Sequence, residues 1–301
     1  MHRVNPVHAR SAYGAGVSMK QSRHRRRCRG TMFEPNLDRW QLVPDGQPFV
    51  SLSSTLLPVL RAGQPAILKV TAEVEERWGA TLMVWWDGDG AARVLEHEEG
   101  ALLMERVIGD DSLIAMARSG RDDEASGIIC EVAARLHAPR DLPPPPLIPL
   151  PRWFQELAPA AERFGGILRQ SAATADELLA GQRDISVLHG DLHHGNVLDG
   201  GSRGWLAIDP KRLVGERGFD FANIFCSPDL ETATAPGRLA RQAHVVAEAA
   251  GLERERLLTW ILAYAGLSAA WTLGDGDDAT LALTVAEIAA AELAISETDA
   301  S

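Results

Sequence analysis

His189-Gly190-Asp191-Leu192-His193-His194-Gly195-Asn196 is the stretch on which the reading of this chain turns. It follows Ser186-Val187-Leu188, a short apolar run that reads as a strand delivering the chain into a loop. A carboxylate placed there can accept, or orient, the proton of a hydroxyl group. Asn196 stands five residues after Asp191, and a second strand, Trp205–Ile208, ends at Asp209. An amide oxygen and a carboxylate converging in this way are hard ligands suited to a phosphate-bound Mg²⁺.

Toward the N-terminus, Ala66-Ile67-Leu68-Lys69-Val70 is an apolar strand holding one lysine. The chain is rich in Arg and Ala and has only Lys20, Lys69 and Lys211 as lysines, so a lysine kept in a strand needs a reason. Binding phosphate supplies one. The following segment, Glu73 to Trp86, has helical spacing through Val74, Trp78, Leu82 and Trp85. Glu76, one turn into that helix, is the expected partner of Lys69, with Glu75 as the alternative. Met104-Glu105-Arg106 ends the last strand of this half and is expected to read adenine through its backbone. Ser53-Ser54-Thr55 precedes Lys69 without a GxGxxG pattern and is expected to cover the phosphates.

The elements around these residues divide the chain. Trp40–Val50 reads as a strand and Ser51–Leu60 as its return; Ala92–Glu96 and Ala101–Arg106 follow the Asp87-Gly88-Asp89-Gly90 turn. Beyond residue 108 the pattern is helical: Asp122–His137 with Ile128, Val132 and Leu136 on one face, then residues 152–180, then most of the chain from Phe219. A proline-rich connection, Asp141–Pro151, reads as stiff and extended. The expected fold class is α+β and bilobal. An antiparallel-sheet N-terminal nucleotide-binding lobe spans 32–108. A mostly helical C-terminal catalytic and substrate-binding lobe spans 109–301.

Composition narrows the function classes. With 301 residues and 46% hydrophobic residues, two lobes and a sizeable core are within reach. No apolar run approaches the roughly 20 residues of a membrane helix. Cys28, Cys130 and Cys226 form no CxxC pair, which fits a reducing cytoplasm. Residues 1–31 hold eight Lys/Arg and no acid and read as a disordered basic extension before Met32. The remainder is acidic, which argues against nucleic acid and suits a small cationic substrate. His189, His193 and His194 could be read as zinc ligands, but no Glu or Cys partner stands near. His189 is expected to fix the loop by a hydrogen bond, Asp220 to accept from the catalytic-loop backbone, and His137 to cap its helix. Trp85, Trp86 and Trp205 read as core aromatics.

Lys69, the helix glutamate, the linker at 104–106, the Asp191–Asn196 loop and Asp209 follow the chain order of eukaryotic-type kinases. Trp205-Leu206-Ala207-Ile208-Asp209-Pro210 and Phe219-Asp220-Phe221-Ala222-Asn223 join them. Together with Trp85-Trp86-Asp87-Gly88, Ala101–Arg106, Ala133–Pro139 and Gly266–Trp271, the chain resembles the aminoglycoside phosphotransferases from about Leu37 to Leu293. The nearest subgroup is that of the streptomycin 6-phosphotransferases, or aminoglycoside/hydroxyurea resistance kinases. The resemblance implies a protein-kinase-like fold and ATP- and Mg²⁺-dependent phosphorylation of a hydroxyl on streptomycin, at the 6-position of streptidine. It carries Asp191 as the catalytic carboxylate, Asn196 and Asp209 as metal ligands, and Lys69 as the phosphate-binding lysine. Gly195 departs from the acidic residue usual at that place. A guanidinium-bearing acceptor calls for acidic contacts, for which Asp229, Glu231, Asp275, Asp277 and Asp278 are candidates. The alternatives are a kinase for another small hydroxylated antibiotic or metabolite, or an inactive nucleotide-binding regulator.

Overall fold

The computed structural model describes residues 32–51, 54–71 and 74–299, and of 74–78 and 297–299 the backbone only. The basic extension at 1–31 and Ser53 lie outside the described residues, as does the side chain of Glu76.

The N-lobe begins with α1 (Glu34–Arg39), then β1 (Leu42–Pro44), β2 (Phe49–Val50), β3 (Thr55–Arg61), β4 (Gln64–Val70), α2 (Val74–Trp86), β5 (Val94–Glu98) and β6 (Ala101–Glu105). The strands form one antiparallel sheet in the order β1-β3-β4-β6-β5, with β2 paired to β3. Period-two alternation in β4 gives the sheet two apolar faces. Leu68, Leu57, Val59 and Leu103 pack with Phe33 on the α1 side, whereas Ile67, Leu56 and Met104 join the core that α2 covers. The single strand expected over Trp40–Val50 is broken into β1 and β2. Gly46 and the residues around it follow the edge, where Asp45 donates its N–H to the Pro58 carbonyl. In α2 the buried stripe is Ala80, Leu82, Met83 and Trp86. Trp85, expected in that stripe, is half-buried instead; Arg140 lies over its ring at 4.9 Å and its indole N–H donates to the Leu142 carbonyl.

The C-lobe follows as α3 (Leu113–Arg118), α4 (Asp122–His137), β7 (Ile148–Pro149), α5 (Leu150–Trp153), α6 (Leu157–Phe164), α7 (Ile167–Ala180), β8 (Ile185–Leu188), β9 (Val197–Asp199), β10 (Trp205–Ala207), β11 (Leu213–Glu216), α8 (Gly218–Ala222), α9 (Leu230–Ala233), α10 (Arg238–Ala250), α11 (Arg254–Asp275) and α12 (Thr280–Asp299). β9 and β10 form a hairpin, and β11 lies between β7 and β8.

α11 has the length and apolarity of a membrane-crossing helix, against the expectation that no apolar run approaches that length. Its burial has another cause. Leu258, Ile261, Leu262, Ala265 and Leu267 are buried, with α7, α8 and α12 packed around the helix. A helix apolar on all sides is the expected centre of a helical lobe. Glu216, at the end of β11, ties the sheet to α11 by accepting from Arg256 and from the Trp260 indole.

The lobes are joined behind the cleft. Ala92 N–H donates to the Ala207 carbonyl at 2.9 Å and Ala207 N–H to the Gly90 carbonyl at 2.8 Å. Trp86 donates its indole N–H to the Leu136 carbonyl. One hydrophobic core therefore runs from β4 and α2 into α4 and α11.

Candidate active site

Four residues named from the sequence converge. β8 delivers the chain to His189, and β10 runs to Asp209 across a laced pair of loops. Ile208 N–H donates to the Asn196 carbonyl and Lys211 N–H to the His189 carbonyl. Asn196 donates through Nδ2 to the Asp191 carbonyl at 2.9 Å and to Asp191 Oδ2 at 3.2 Å. Asn223, at the end of α8, donates to Asp191 Oδ1 at 2.9 Å. The carboxylate is thus held from both sides. Lys69 crosses from β4 to place Nζ 2.7 Å from Asp209 Oδ1. Asp209 adopts a left-handed backbone with φ +59°, which costs an L-residue on the order of 1 kcal/mol and recurs at functional turns.

The turn that carries Asp191 is built around Asp220. Its two oxygens accept from His189 N–H at 2.8 Å and Gly190 N–H at 2.6 Å, and His137 Nε2 lies 2.8 Å from Oδ2. The structural role expected of Asp220 is what the geometry gives. His137, expected as a helix cap, instead turns its ring onto this carboxylate. Gly190 has φ +81°, and a Cβ there would lie 2.7 Å from Leu213 Cδ1, so only glycine fits the turn. His189 Nε2 donates to the Ile208 carbonyl at 2.8 Å while its Nδ1 accepts from Asp191 N–H at 3.2 Å. His194 places Nδ1 3.1 Å from Ser227 Oγ and Nε2 3.7 Å from Asp122 Oδ1. These two rings serve the protein scaffold, and among the described residues no group of three His, Cys, Asp or Glu is placed to hold a metal.

A divalent ion bound with phosphate needs oxygen donors instead. Asn196 Oδ1 is buried and has no hydrogen-bond partner, because both bonds of its amide are made through nitrogen. An orphaned buried acceptor beside Asp191 fits Mg²⁺, for which the Asp209 carboxylate could supply a second, anionic oxygen.

Burial pushes the His189, His193 and His194 imidazoles below the usual range, against the pull of neighbouring carboxylates. Asp122 is the reverse. Burial raises its carboxyl, but His194 and Arg238 outweigh this and bring it down to about 2.

Other expected residues are placed less directly. Ser54 is buried and closes the β2–β3 turn by accepting from Ser51 N–H. Met104 is buried within the sheet. Glu105 N–H donates to the Arg93 carbonyl and Arg106 N–H to the Pro65 carbonyl. Of the backbone expected to read adenine, the N–H groups of Glu105 and Arg106 are thus engaged inside the N-lobe. The Glu105 side chain pairs with Arg203 of the β9–β10 turn, and Arg106 pairs with Asp45. Asp229 caps α9 through Thr232 N–H and pairs with Arg118 at 2.7 Å; Asp278 accepts from Thr280 N–H at 2.9 Å before α12. Glu231 lies in α9, Asp275 ends α11, and Asp277 follows it.

Three residues of the site had no role assigned from sequence. Asn223 was visible only as part of a motif string. Lys211 Nζ lies 3.9 Å from Asp191 Oδ2; the rarity of lysine that singled out Lys69 applied equally to it. Asp122 meets Arg238 from 116 residues away, and no local signal announces that.

A lysine–carboxylate pair above an Asp–Asn loop, between an antiparallel sheet and a helical lobe, is the architecture of the protein-kinase-like phosphotransferases. Residues 39–276 match the family described as aminoglycoside/hydroxyurea antibiotic resistance kinase, and the chain belongs to that family. A streptomycin 3''-kinase of Klebsiella pneumoniae is 52% identical over 245 residues, covering 80% of this chain and 92% of the relative. A streptomycin 6-kinase of Streptomyces glaucescens is 34% identical over 264 residues, covering 82% and 84%. Among solved structures, a mutant aminoglycoside phosphotransferase APH(4)-Ia in complex with ADP and hygromycin B superposes with a TM-score of 0.62 at 16% identity, covering 85% of this chain and 96% of that one. At that identity it is the fold that is shared.

Proposed function

We propose that the protein transfers the γ-phosphoryl group of ATP to a hydroxyl of streptomycin, with Mg²⁺, in the cytoplasm. The observation that carries this is the convergence of Asp191, Asn196, Asp209 and Lys69 on one cleft, with Asn196 Oδ1 buried and unpartnered. Bound Mg²⁺ would neutralise phosphate charge. Asp191 orients the acceptor hydroxyl and takes its proton as the oxygen bonds to phosphorus. The bond from phosphorus to the β–γ bridging oxygen breaks, and ADP leaves. Lys69 separates from Asp209 far enough to pair with the nucleotide phosphates. Adenine lies against the linker just past β6. There, Val107 and Ile108 take over the backbone reading expected of Met104–Arg106, since Gly109 N–H is already given to the Asp199 carbonyl.

The hydroxyl is the finer question. The 52% identity to a 3''-kinase favours the 3''-position over the 6-position that the resemblance suggested. The acceptor's guanidinium groups call for acids at the C-lobe rim. Asp229 and Asp278 are less suited, since their carboxylates already accept N–H groups at helix starts, so Glu231 and Asp277 are put forward first. The test is purified protein with Mg·ATP and streptomycin, followed by mass spectrometry and NMR of the product. A single phosphate ester at the 3''-oxygen is expected. An ester at the 6-oxygen would reverse the positional reading. ATP consumed only with another acceptor would refute streptomycin and leave the kinase reading standing.

A further inference from the structure

His193 is the histidine of the catalytic loop whose far nitrogen is left without a hydrogen bond beside Asp191. Its Nδ1 accepts from Gly195 N–H at 3.0 Å, so the ring proton of the neutral imidazole sits on Nε2. That nitrogen is buried and has no hydrogen-bond partner. It lies 3.8 Å from Asp191 Oδ1, beyond bonding distance, and its side chain is 9% exposed. A buried N–H left without an acceptor costs on the order of 1–3 kcal/mol, so such a group is expected to have a partner supplied from outside the chain. His189, in the same loop, spends both ring nitrogens on protein neighbours; His194 also leaves Nε2 without a hydrogen bond, but that nitrogen faces Asp122 of α4, whereas the one on His193 faces Asp191.

Position identifies the partner. Asp191 and Asp209 both act on the His193 ring, as does Lys211. The ring therefore lies in the field of the proton-accepting carboxylate and of the carboxylate assigned to the metal. The group that passes between these two carboxylates during transfer is the γ-phosphoryl. Lys211, 3.9 Å from Asp191 Oδ2, brings a positive charge to the other oxygen of the same carboxylate. The cation beside it and the burial around it both favour an uncharged ring.

We propose that His193 is a further catalytic residue, donating its Nε2–H to an oxygen of the γ-phosphoryl group as it moves from ATP to the acceptor. The proton stays on His193 throughout; the acceptor's proton goes to Asp191. This rests on the kinase reading above, and the two fail in distinguishable ways.

The experiment separates the two ring nitrogens. Asn at this position keeps an oxygen near the place of Nδ1 and can still accept from Gly195. Gln carries its amide out toward the place of Nε2 and can still donate. H193N, H193Q and the unaltered protein are titrated calorimetrically, without acceptor, with Mg·ADP, with the non-hydrolysable Mg·AMP-PNP, and with Mg·ADP plus aluminium fluoride. The expected result is that H193N binds Mg·ADP normally and loses roughly 10- to 100-fold for the aluminium fluoride complex, the size of a hydrogen bond to a charged group. A smaller loss in the same direction is expected for Mg·AMP-PNP, and H193Q recovers most of both.

If H193N keeps the full discrimination between Mg·ADP and the two γ-occupied complexes, the proposal is overturned. It is also overturned if all three ligands weaken equally, which is the signature of a loop brace. Should H193N bind no ADP, H193Q decides: retained discrimination supports the donor, and lost discrimination with intact ADP binding refutes it. An unaltered protein that binds none of the three would refute the kinase reading itself.

Discussion

Replacing Asp122 with Asn tests whether a buried charge cluster holds the catalytic loop. Asp122 opens α4 and is paired with Arg238 of α10 through two bonds, at 2.7 and 3.0 Å, with side-chain exposures of 4% and 3%. His194 stands 3.7 Å away on the loop itself. The Asp122 carboxyl is held at about 2, against roughly 3.9 in an unfolded chain. At about 1.4 kcal/mol per unit, that difference corresponds to roughly 2.5 kcal/mol of stability at pH 7. The folded-state value is depressed, so this stability is present above pH ~4 and is lost as pH falls toward 2. About half of it should remain at pH 3. D122N also leaves the Arg238 guanidinium without its counter-charge, and breaking a buried pair costs about 3–5 kcal/mol. We therefore expect D122N to lose about 3 kcal/mol in urea unfolding at pH 7, with the gap to the unaltered protein narrowing by roughly 1 kcal/mol at pH 3. Because His194 precedes Asn196 by two residues, kcat should fall with little change in KM for ATP. A loss under about 1 kcal/mol at pH 7, or a gap that does not narrow in acid, would refute the assignment of stability to this charge.

D191A should reduce kcat by roughly 10²–10⁴-fold in a coupled ADP-release assay, the range expected for losing a positioned base. D209N should abolish Mg²⁺-dependent turnover while retaining the fold by circular dichroism; ordinary Mg²⁺ titration behaviour would reject the metal role. G79A should destabilise by about 1–3 kcal/mol in thermal unfolding and slow catalysis, because a Cβ on α2 would lie 2.4 Å from the Pro210 carbonyl oxygen, next to Asp209. D220A should unfold about 2–4 kcal/mol more easily, since two backbone N–H groups at His189 and Gly190 lose their acceptor in a buried turn.

Local chemistry made much of this legible. Asp122–His137 has a strong 3.6-residue pattern and acidic residues in its first turn, and α4 occupies those bounds. Glu73–Trp86 was readable as a helix, but its face was not. Trp85 and Trp86 are equivalent in sequence, and the choice between them is made by Leu136 and Arg140, fifty or more residues away. The same limit applies to α11. Its composition suits a lipid environment or the interior of a lobe, and only the neighbouring α7, α8 and α12 decide between them. The N-lobe linker was legible only in part, for a related reason. Strand pairing consumes the N–H groups of Glu105 and Arg106, and pairing is a property of two segments, of which the sequence displays one at a time.

The candidate site divides along the same line. Asp191, Asn196 and Asp209 lie within two adjoining loops, so the Asp-x-x-x-x-Asn spacing and a strand end sufficed to find them. His193 lay in the same motif, yet its special standing emerged only when Gly195 was seen to occupy one ring nitrogen and nothing the other. The acceptor acids were chosen by charge and by nearness to helix ends, and that criterion also selects N-caps. Asp229 and Asp278 satisfy it because a carboxylate before a helix accepts the first free N–H groups. A residue doing that work has one oxygen committed, and binding a guanidinium through both would cost the helix a cap worth about 1 kcal/mol. Acceptor specificity in this chain is therefore better sought among rim acids free of a capping duty. Their substitution would alter KM for streptomycin without altering unfolding, whereas the caps would show the opposite pattern.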